Sequence, residues 1–454
     1  MQKAAAKSKR KARSRPLDAG LLAAALRRGA GAFRLALQTS AAAAALSLAI
    51  ARADARPPSA DRGANSDAAV AERVHPGFEP KGLPLGAFRA FPTFTVDATT
   101  IDNVFASETN EQSDFVTTLR PAVTIESNWS RHRLSFDGAV ARTIHQDFAD
   151  DDVTTTLLGA DLTLDVRYNT QIGFGARFRD DAEGRSSPDS PVAALEPINY
   201  QARAVSGFAS QTFNRVRLTV QAEREELDYE DARSTLGGII EQDDRDRTET
   251  RGSLRLEYGL SPDTAILAEV RADDRAYDLA PATPALSRDS SGLSYLVGVN
   301  FDVTRLVRGE VAAGYFTQDY DAIGDTSGLA VDAKLEWFPT RLTTVSFTAA
   351  RRGDDSGVPG AASILLTSAG VQVDHELRRN IVLSGGVNAA QREYRGGFDR
   401  DDDVWTGQVS ARWQINRRVG VQVGAARESQ DSTGIDRDRD FDINRAFAAL
   451  TLRL

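Results

Sequence analysis

From about residue 86 to the C-terminus, apolar and polar side chains alternate with a period of two. In 404–415, Trp405, Gly407, Val409, Ala411, Trp413 and Ile415 interleave with Thr406, Gln408, Ser410, Arg412 and Gln414. In 327–337, Leu329, Val331, Ala333, Leu335 and Trp337 oppose Ala330, Asp332, Lys334 and Glu336. In 215–225, Val216, Leu218, Val220 and Ala222 oppose Arg217, Thr219, Gln221 and Glu223. Successive side chains of a strand point to opposite faces, so each segment reads as a strand with one apolar and one charged face. About eighteen are expected, centred near 94, 120, 138, 161, 175, 205, 220, 253, 269, 297, 312, 333, 346, 369, 386, 410, 423 and 448.

Their connections alternate in length. Short, turn-like ones fall at 168–170, 213–214, 260–263, 338–341, 377–380 and 416–417. Longer ones, rich in Asp, Gly, Ser and Pro, fall at 146–152, 181–197, 228–246, 277–290, 320–326, 353–361, 394–403 and 430–440. A soluble sandwich packs its apolar faces against a second sheet and has no reason to alternate short and long loops. Here the second face is too charged to form such a core. In lipid the pattern is stable, because a closed barrel satisfies its own backbone hydrogen bonds and turns the apolar face to hydrocarbon. The predicted fold is therefore an all-β, transmembrane antiparallel β-barrel of about 18 strands over 86–454, with short periplasmic turns and longer extracellular loops.

Aromatic residues support that orientation. Trp129, Tyr168, Phe213, Tyr258, Phe301, Trp337, Phe338 and Trp413 lie one to five residues from a short connection, where a girdle meets the headgroups. The last strand, 441–454, carries Ala446, Ala448, Leu450, Leu452 and Leu454 on one face. It resembles the terminal signal read by the outer-membrane barrel assembly machinery, with Leu454 in place of the usual aromatic.

The first 55 residues differ in kind. They hold eleven basic residues against Asp18 and Asp54, then an apolar run (Leu35 to Leu37, Ala41 to Ile50), Ala53-Asp54-Ala55 and Pro57-Pro58. This reads as a Sec-type signal peptide with an extended basic region, cut near Arg56. Residues 56–85 read as a flexible periplasmic leader. The rest carries 44 basic and 62 acidic residues, a net charge of −18 that disfavours nucleic acid.

Composition removes much other chemistry. Without cysteine there is no disulfide, zinc-thiolate site or catalytic thiol, and His75, His132, His145 and His375 are too far apart in sequence for a His-rich metal motif. His145 near Asp147 and Asp150 is the one rim candidate for hydrolytic chemistry, and it has too few companions to read as an enzyme. No catalytic, cofactor or metal residue is assigned. The acidic loops 146–152, 399–403 and 436–442 read as solvated charge, with divalent-ion bridging to lipopolysaccharide as the sharper alternative.

At 16 to about 18 strands an aqueous channel remains unless loops or side chains fill it. The expected lumen lining includes Arg120, Arg177, Arg203, Arg217, Arg255, Glu257, Glu269, Arg271, Arg308, Glu310, Asp332, Lys334, Glu336 and Arg412. Mixed charge of this kind serves either as a selectivity field or as salt-bridge ladders that stiffen the wall.

Ile101-Asp102-Asn103-Val104-Phe105, then Asp114-Phe115-Val116, Pro121 and Trp129, resemble the start of the barrel in the beta-barrel porin 2 family, and the similarity extends over about 85–454. The resemblance implies an outer-membrane barrel of a Gram-negative bacterium, with a role in passing or secreting extracellular polysaccharide alongside a periplasmic export partner. It carries over no catalytic residue. Two functional classes follow: a channel for polysaccharide or other hydrophilic solutes, or a plugged or narrow structural or adhesion barrel. A loop folded into the lumen favours the second, and 181–197 and 228–246 are long enough to do so. Lipid and lipopolysaccharide are the expected surroundings; oligomeric state leaves no trace in the sequence.

Overall fold

The computed structural model describes residues 68–454 except 74, 280–286, 304–305, 323, 359–360 and 362. The expected signal peptide and the first part of the leader lie outside the described residues. After a single 3-10 turn (Val70–Glu72), β1 (Leu83–Leu85) doubles back onto β2 (Phe88–Ile101). Then come β3 (Asp114–Ser127), β4 (Arg133–His145), β5 (Val153–Arg167), β6 (Thr170–Ala182), β7 (Asn199–Phe213) and β8 (Val216–Tyr229). A small hairpin, β9 (Ala232–Arg233) with β10 (Ile239–Ile240), sits in the loop before β11 (Arg247–Ser261). The wall continues through β12 (Thr264–Tyr277), β13 (Ser290–Val303), β14 (Val307–Tyr320), β15 (Thr326–Thr340) and β16 (Thr343–Asp355). It ends with β17 (Ser363–Arg378), β18 (Ile381–Arg395), β19 (Asp401–Gln414), β20 (Val419–Thr433) and β21 (Phe441–Arg453).

Each long strand pairs antiparallel with its neighbours, and β21 returns to β2 in register from Thr93↔Arg453 to Ile101↔Arg445. The eighteen wall strands thus form a closed antiparallel barrel with no free edge. Short and long connections segregate to opposite ends. Two short connections that composition did not mark join β3 to β4 and β13 to β14, and an unmarked long loop (102–113) joins β2 to β3.

The outside is apolar and exposed. Val297, Leu329 and Val409 leave 68%, 65% and 62% of their surface uncovered, which water would penalise and hydrocarbon accepts. Trp129, Tyr168, Phe213, Tyr258, Trp337 and Trp413 are exposed at the short-turn end, as a girdle requires. Phe338 departs from that expectation. It follows Trp337, so the pleat turns it inward, where it is buried under the Arg308 guanidinium at 4.9 Å.

The family-like segment 101–105 is a latch on the barrel seam. Asp102 accepts from the Asn444 backbone N–H (2.7 Å) and side chain (2.6 Å), tying the end of β2 to β21. Asn103 is fully buried, donating to the carbonyls of Ser107 (2.8 Å) and Asp442 (3.1 Å). Phe105 packs edge-on against Phe148 of the next long loop.

The wall is not evenly curved. Between β13 and β14 it bends so tightly that a Cβ added at Gly314 would lie 1.6 Å from the Tyr295 carbonyl oxygen. Glycine lets the backbones approach where an inward side chain has no room. Side chains then meet over the bend: Arg255 of β11 reaches Glu310 of β14 at 2.6 Å, and Arg271 of β12 reaches Asp332 of β15 at 3.2 Å. Both contacts pass over two intervening strands. Leu267, Leu296, Ala312, Phe316, Ala330 and Leu365 pack together inside the same bend.

Candidate functional site: the barrel interior

The interior holds a chamber of about 1150 Å³. Arg120, Arg271, Asp332, Lys334 and Glu336 line it directly. The strand registers put Arg177, Arg217, Arg255, Glu257, Glu269, Arg308, Glu310 and Arg412 on the same inner face. Most of these charges are engaged with one another: Arg255 with Glu257 (2.9 Å) and Glu310, Arg271 with Glu269 (2.7 Å), Arg308 with Glu336, and Arg177 with Asp161.

Arg203 does not join them. It pairs across the strands with Phe178 and Glu226 on the outer wall, one step from exposed Val205. The expectation of a lumen position is corrected here. In β7 both faces are small or weakly apolar (Ala202, Ala204 and Ser206 against Val205, Gly207 and Ala209), so alternation alone did not choose between them.

Ion-paired residues concentrate on the β6–β15 side. Opposite, running from β16 through the seam to β5, the chamber wall presents hydroxyl and amide groups, including Thr95, Thr118, Gln372, Asn388, Gln408 and Thr451. Thr95 bonds Thr451 across the seam at 3.2 Å. One side of the chamber is zipped charge, and the other mixes these hydroxyls and amides with fewer charges, among them Asp97, Arg120, Asp374 and the Arg445–Glu428 pair (2.8 Å).

The long-loop mouth is covered by the segment 183–198 between β6 and β7. At its start Arg245 grips Glu183 through both guanidinium nitrogens (2.5 and 3.1 Å), stacks 4.1 Å over the Tyr229 ring and bonds Gln242 at 2.8 Å. Arg185 forks onto Asp151 of the β4–β5 loop (2.5 and 3.0 Å) and bonds the carbonyls of Ala194 and Leu195. Asp189 accepts from the Gly357 N–H (3.0 Å) of the β16–β17 loop, and Arg439 of the β20–β21 loop donates to the Arg185 carbonyl. Ile198 is fully buried with Ala194, Leu227 and Tyr229. One loop therefore touches four others around the rim, which places it across the opening. Glu183, Arg185, Asp189 and Arg245 are the functional residues that pattern reading missed. The signal available was the length of the loop alone.

At the opposite mouth the described end of the expected leader tucks against the inner wall. Ala69 and Val70 are buried, and the Val70 N–H donates to Thr344 Oγ1 at 3.0 Å. Arg73 pairs with Glu376 at 2.6 Å and Glu72 approaches Arg308 at 3.5 Å. Burial pushes the neighbouring His75 imidazole below its ordinary pKa, against the opposing pull of Glu376.

The acidic loops are occupied by arginines. Asp151 holds Arg185, Asp402 holds Arg400, and Asp440 holds Arg437. His145 lies 3.7 Å from Asp152 and takes part in no larger constellation. Among the described residues no group of three or more His, Asp and Glu side chains is placed to hold a metal ion.

One loop carboxylate is strongly perturbed. Asp246 precedes β11, accepts from the Tyr229 N–H at 2.6 Å, and is pushed up to about 6 by burial and by the nearby Asp228, Asp243 and Asp278. A raised acid pKa means the folded form holds the proton more readily, so its stabilising contribution is full below the unfolded value near 3.8 and is lost as pH rises through about 6. Asp246→Asn keeps the acceptor and removes the charge. Its heat-unfolding midpoint is therefore expected to exceed that of the wild type at pH 7.5 and to coincide with it at pH 3.5; equal midpoints at both pH values sink the assignment.

A family model described as "Putative beta-barrel porin 2" matches residues 75–454. No curated protein matches the chain in sequence. Among solved structures it is similar to the outer membrane protein OpdK of Pseudomonas aeruginosa, with 11% identity, TM-score 0.43, 80% of this chain and 99% of that one covered. OpdL of the same organism gives 12% identity and TM-score 0.41 over 82% and 100% of the two chains. The siderophore receptor PiuA of Acinetobacter baumannii gives 10% identity and TM-score 0.46 over 82% of each.

Proposed function

The chain belongs to the beta-barrel porin 2 family, and from that premise we propose that it is an outer-membrane channel for hydrophilic solutes, saccharides among them, with both mouths narrowed in the resting form. The observation that supports this reading is the set of hydroxyl and amide groups, interspersed with fewer charges, along one side of the chamber. Such groups exchange hydrogen bonds with a polyhydroxylated solute at little desolvation cost, whereas the opposite charges are already satisfied by one another. Export by the N-terminal signal and insertion by the barrel assembly machinery belong to the same reading. Passage of exopolysaccharide with a periplasmic partner is its most specific form.

The covered extracellular mouth favours a second reading, a barrel that stays plugged and serves the envelope structurally. Planar-bilayer recording of the folded, full-length protein separates the two. The channel reading expects discrete conductance steps that a neutral oligosaccharide interrupts more effectively than an acidic one of equal length. Absence of any conductance from demonstrably folded protein overturns it in favour of the structural barrel.

A further inference from the structure

Five exposed arginines crowd three successive turns at the short-turn end: Arg341 between β15 and β16, Arg378 and Arg379 between β17 and β18, and Arg417 and Arg418 between β19 and β20. The strands pair in that order, so the turns follow one another two strand spacings apart and the five cations share about 20 Å of rim. Among the described residues none of the five makes an ion pair, whereas Arg185, Arg245, Arg400 and Arg437 at the long-loop end all do. The outward residues of these strands near the turns are uncharged, among them Leu335, Val345, Val373, Leu383 and Val421, and the imidazole of His375 bonds Thr343 Oγ1 at 3.0 Å. On the inner face Glu336 and Glu376 are neutralised by Arg308 and Arg73, and the inward Arg412 and Arg453 outnumber Asp374, which accepts from Gln372 (2.9 Å) and Ser384 (2.6 Å). Two anions are left close by. Glu79 of the leader acts together with Arg379 on the His75 imidazole, and the Leu454 carboxylate follows Arg453, whose N–H bonds the Arg418 carbonyl at 2.7 Å. Five cations against these two leave the rim at +3.

Depth decides what meets this charge. Leu342, Leu377 and Ile415 are exposed apolar residues at the foot of the wall, and each of the five arginines lies within three residues of one of them. Three residues of extended chain span about 10 Å at most, and the headgroup layer beyond the hydrocarbon is about 5–8 Å deep. The guanidiniums therefore reach phosphates of the inner leaflet, with Trp337 and Trp413 of the girdle just above them. A periplasmic protein would first have to clear the headgroups. We propose that this rim holds one anionic phospholipid of the cardiolipin type, in which two diester phosphates share a single glycerol bridge. One phosphate meets Arg378 and Arg379 and the other meets Arg417 and Arg418 on the next turn, while the acyl chains lie on the uncharged wall above. Guanidinium forks match phosphate geometry, and a lipid with one phosphate satisfies only one of the two arginine pairs.

Native mass spectrometry of the full-length protein in detergent tests this, with cardiolipin, phosphatidylglycerol and phosphatidylethanolamine as probes. Cardiolipin is expected to remain bound to the wild type and to fall about tenfold or more in the Arg378→Gln/Arg379→Gln/Arg417→Gln/Arg418→Gln variant. Arg167→Gln/Arg215→Gln is expected to retain it, since those exposed arginines stand singly at the β5–β6 and β7–β8 turns. Heat-modifiable gel migration verifies that each variant is folded. Undiminished binding in the folded fourfold variant, or an equal loss in the Arg167/Arg215 control, overturns the site. Phosphatidylglycerol held as firmly as cardiolipin overturns the two-phosphate choice, and displacement of cardiolipin by equimolar hexaglutamate overturns the lipid in favour of an acidic periplasmic segment. None of the five arginines lines the chamber, so failure here leaves the channel reading standing.

Discussion

Arg245→Ala opens the extracellular mouth. Arg245 and Glu183 keep only 5% and 4% of their side chains exposed, so removing the cation strands a carboxylate in a dry site, at a cost of about 3–5 kcal/mol to the closed loop. That cost lowers the closed-to-open ratio of the 183–198 segment by roughly two to four orders of magnitude. The expected result is a higher and steadier single-channel conductance, together with new trypsin cleavage after Arg185, while the heat-modified gel shift of the barrel is preserved. Arg245→Lys is expected to fall between, because an ammonium keeps the charge and loses the two-pronged grip. Wild-type conductance from a variant whose loop is cut at Arg185 removes this loop from the role of gate.

The second large effect is on the barrel itself. Asp355 closes the wall over its bend, meeting Arg275 of β12 and Arg247 of β11 (3.9 Å) and accepting from the Tyr277 hydroxyl at 3.0 Å. Its carboxylate and the Arg275 guanidinium are each about a tenth exposed. Asp355→Ala leaves two crowded guanidiniums without their shared anion, and the expected loss is about 3–5 kcal/mol of unfolding stability. Urea unfolding in micelles, followed by tryptophan fluorescence, reads it. Arg275 retains Asp273 at 3.1 Å and Arg247 retains Glu249 at 2.8 Å, so the variant is expected to fold with a lower midpoint. Arg275→Leu/Asp355→Leu removes both partners and is expected to cost less than Asp355→Ala alone. The reverse order means that the pair does not hold the bend closed.

The strands were legible because period-two alternation is a local property. All eighteen expected centres fall within the observed wall strands, from 94 in β2 to 448 in β21. Where both faces of a strand are bland, the same rule loses its grip. In β7 an arginine among alanines, serines and glycine looks alike on either side, and Arg203 faces outward although its charge suggested water. Trp337 and Phe338 show a related limit: adjacent aromatics cannot both join a girdle, and only the register with β14 turns Trp337 out and Phe338 in. The 101–105 segment was recognisable as a motif, yet its work at the seam depended on β21, more than 300 residues away.

The sequence by itself determined the solvent this protein requires, the number and approximate positions of its strands, and the alternation of short and long connections. These follow from side-chain polarity along a pleated backbone, which each strand carries without its neighbours. Only the tertiary structure decided what the lumen contains. Arg255 finds Glu310 over two strands, Arg73 finds Glu376 from 303 residues away, and Glu183 finds Arg245 across the mouth. Such pairs depend on where the ring bends and which loop falls inward. Identical arginines become a wall brace, a loop anchor at the mouth or an outer-wall cation according to that geometry, and no local pattern distinguishes them.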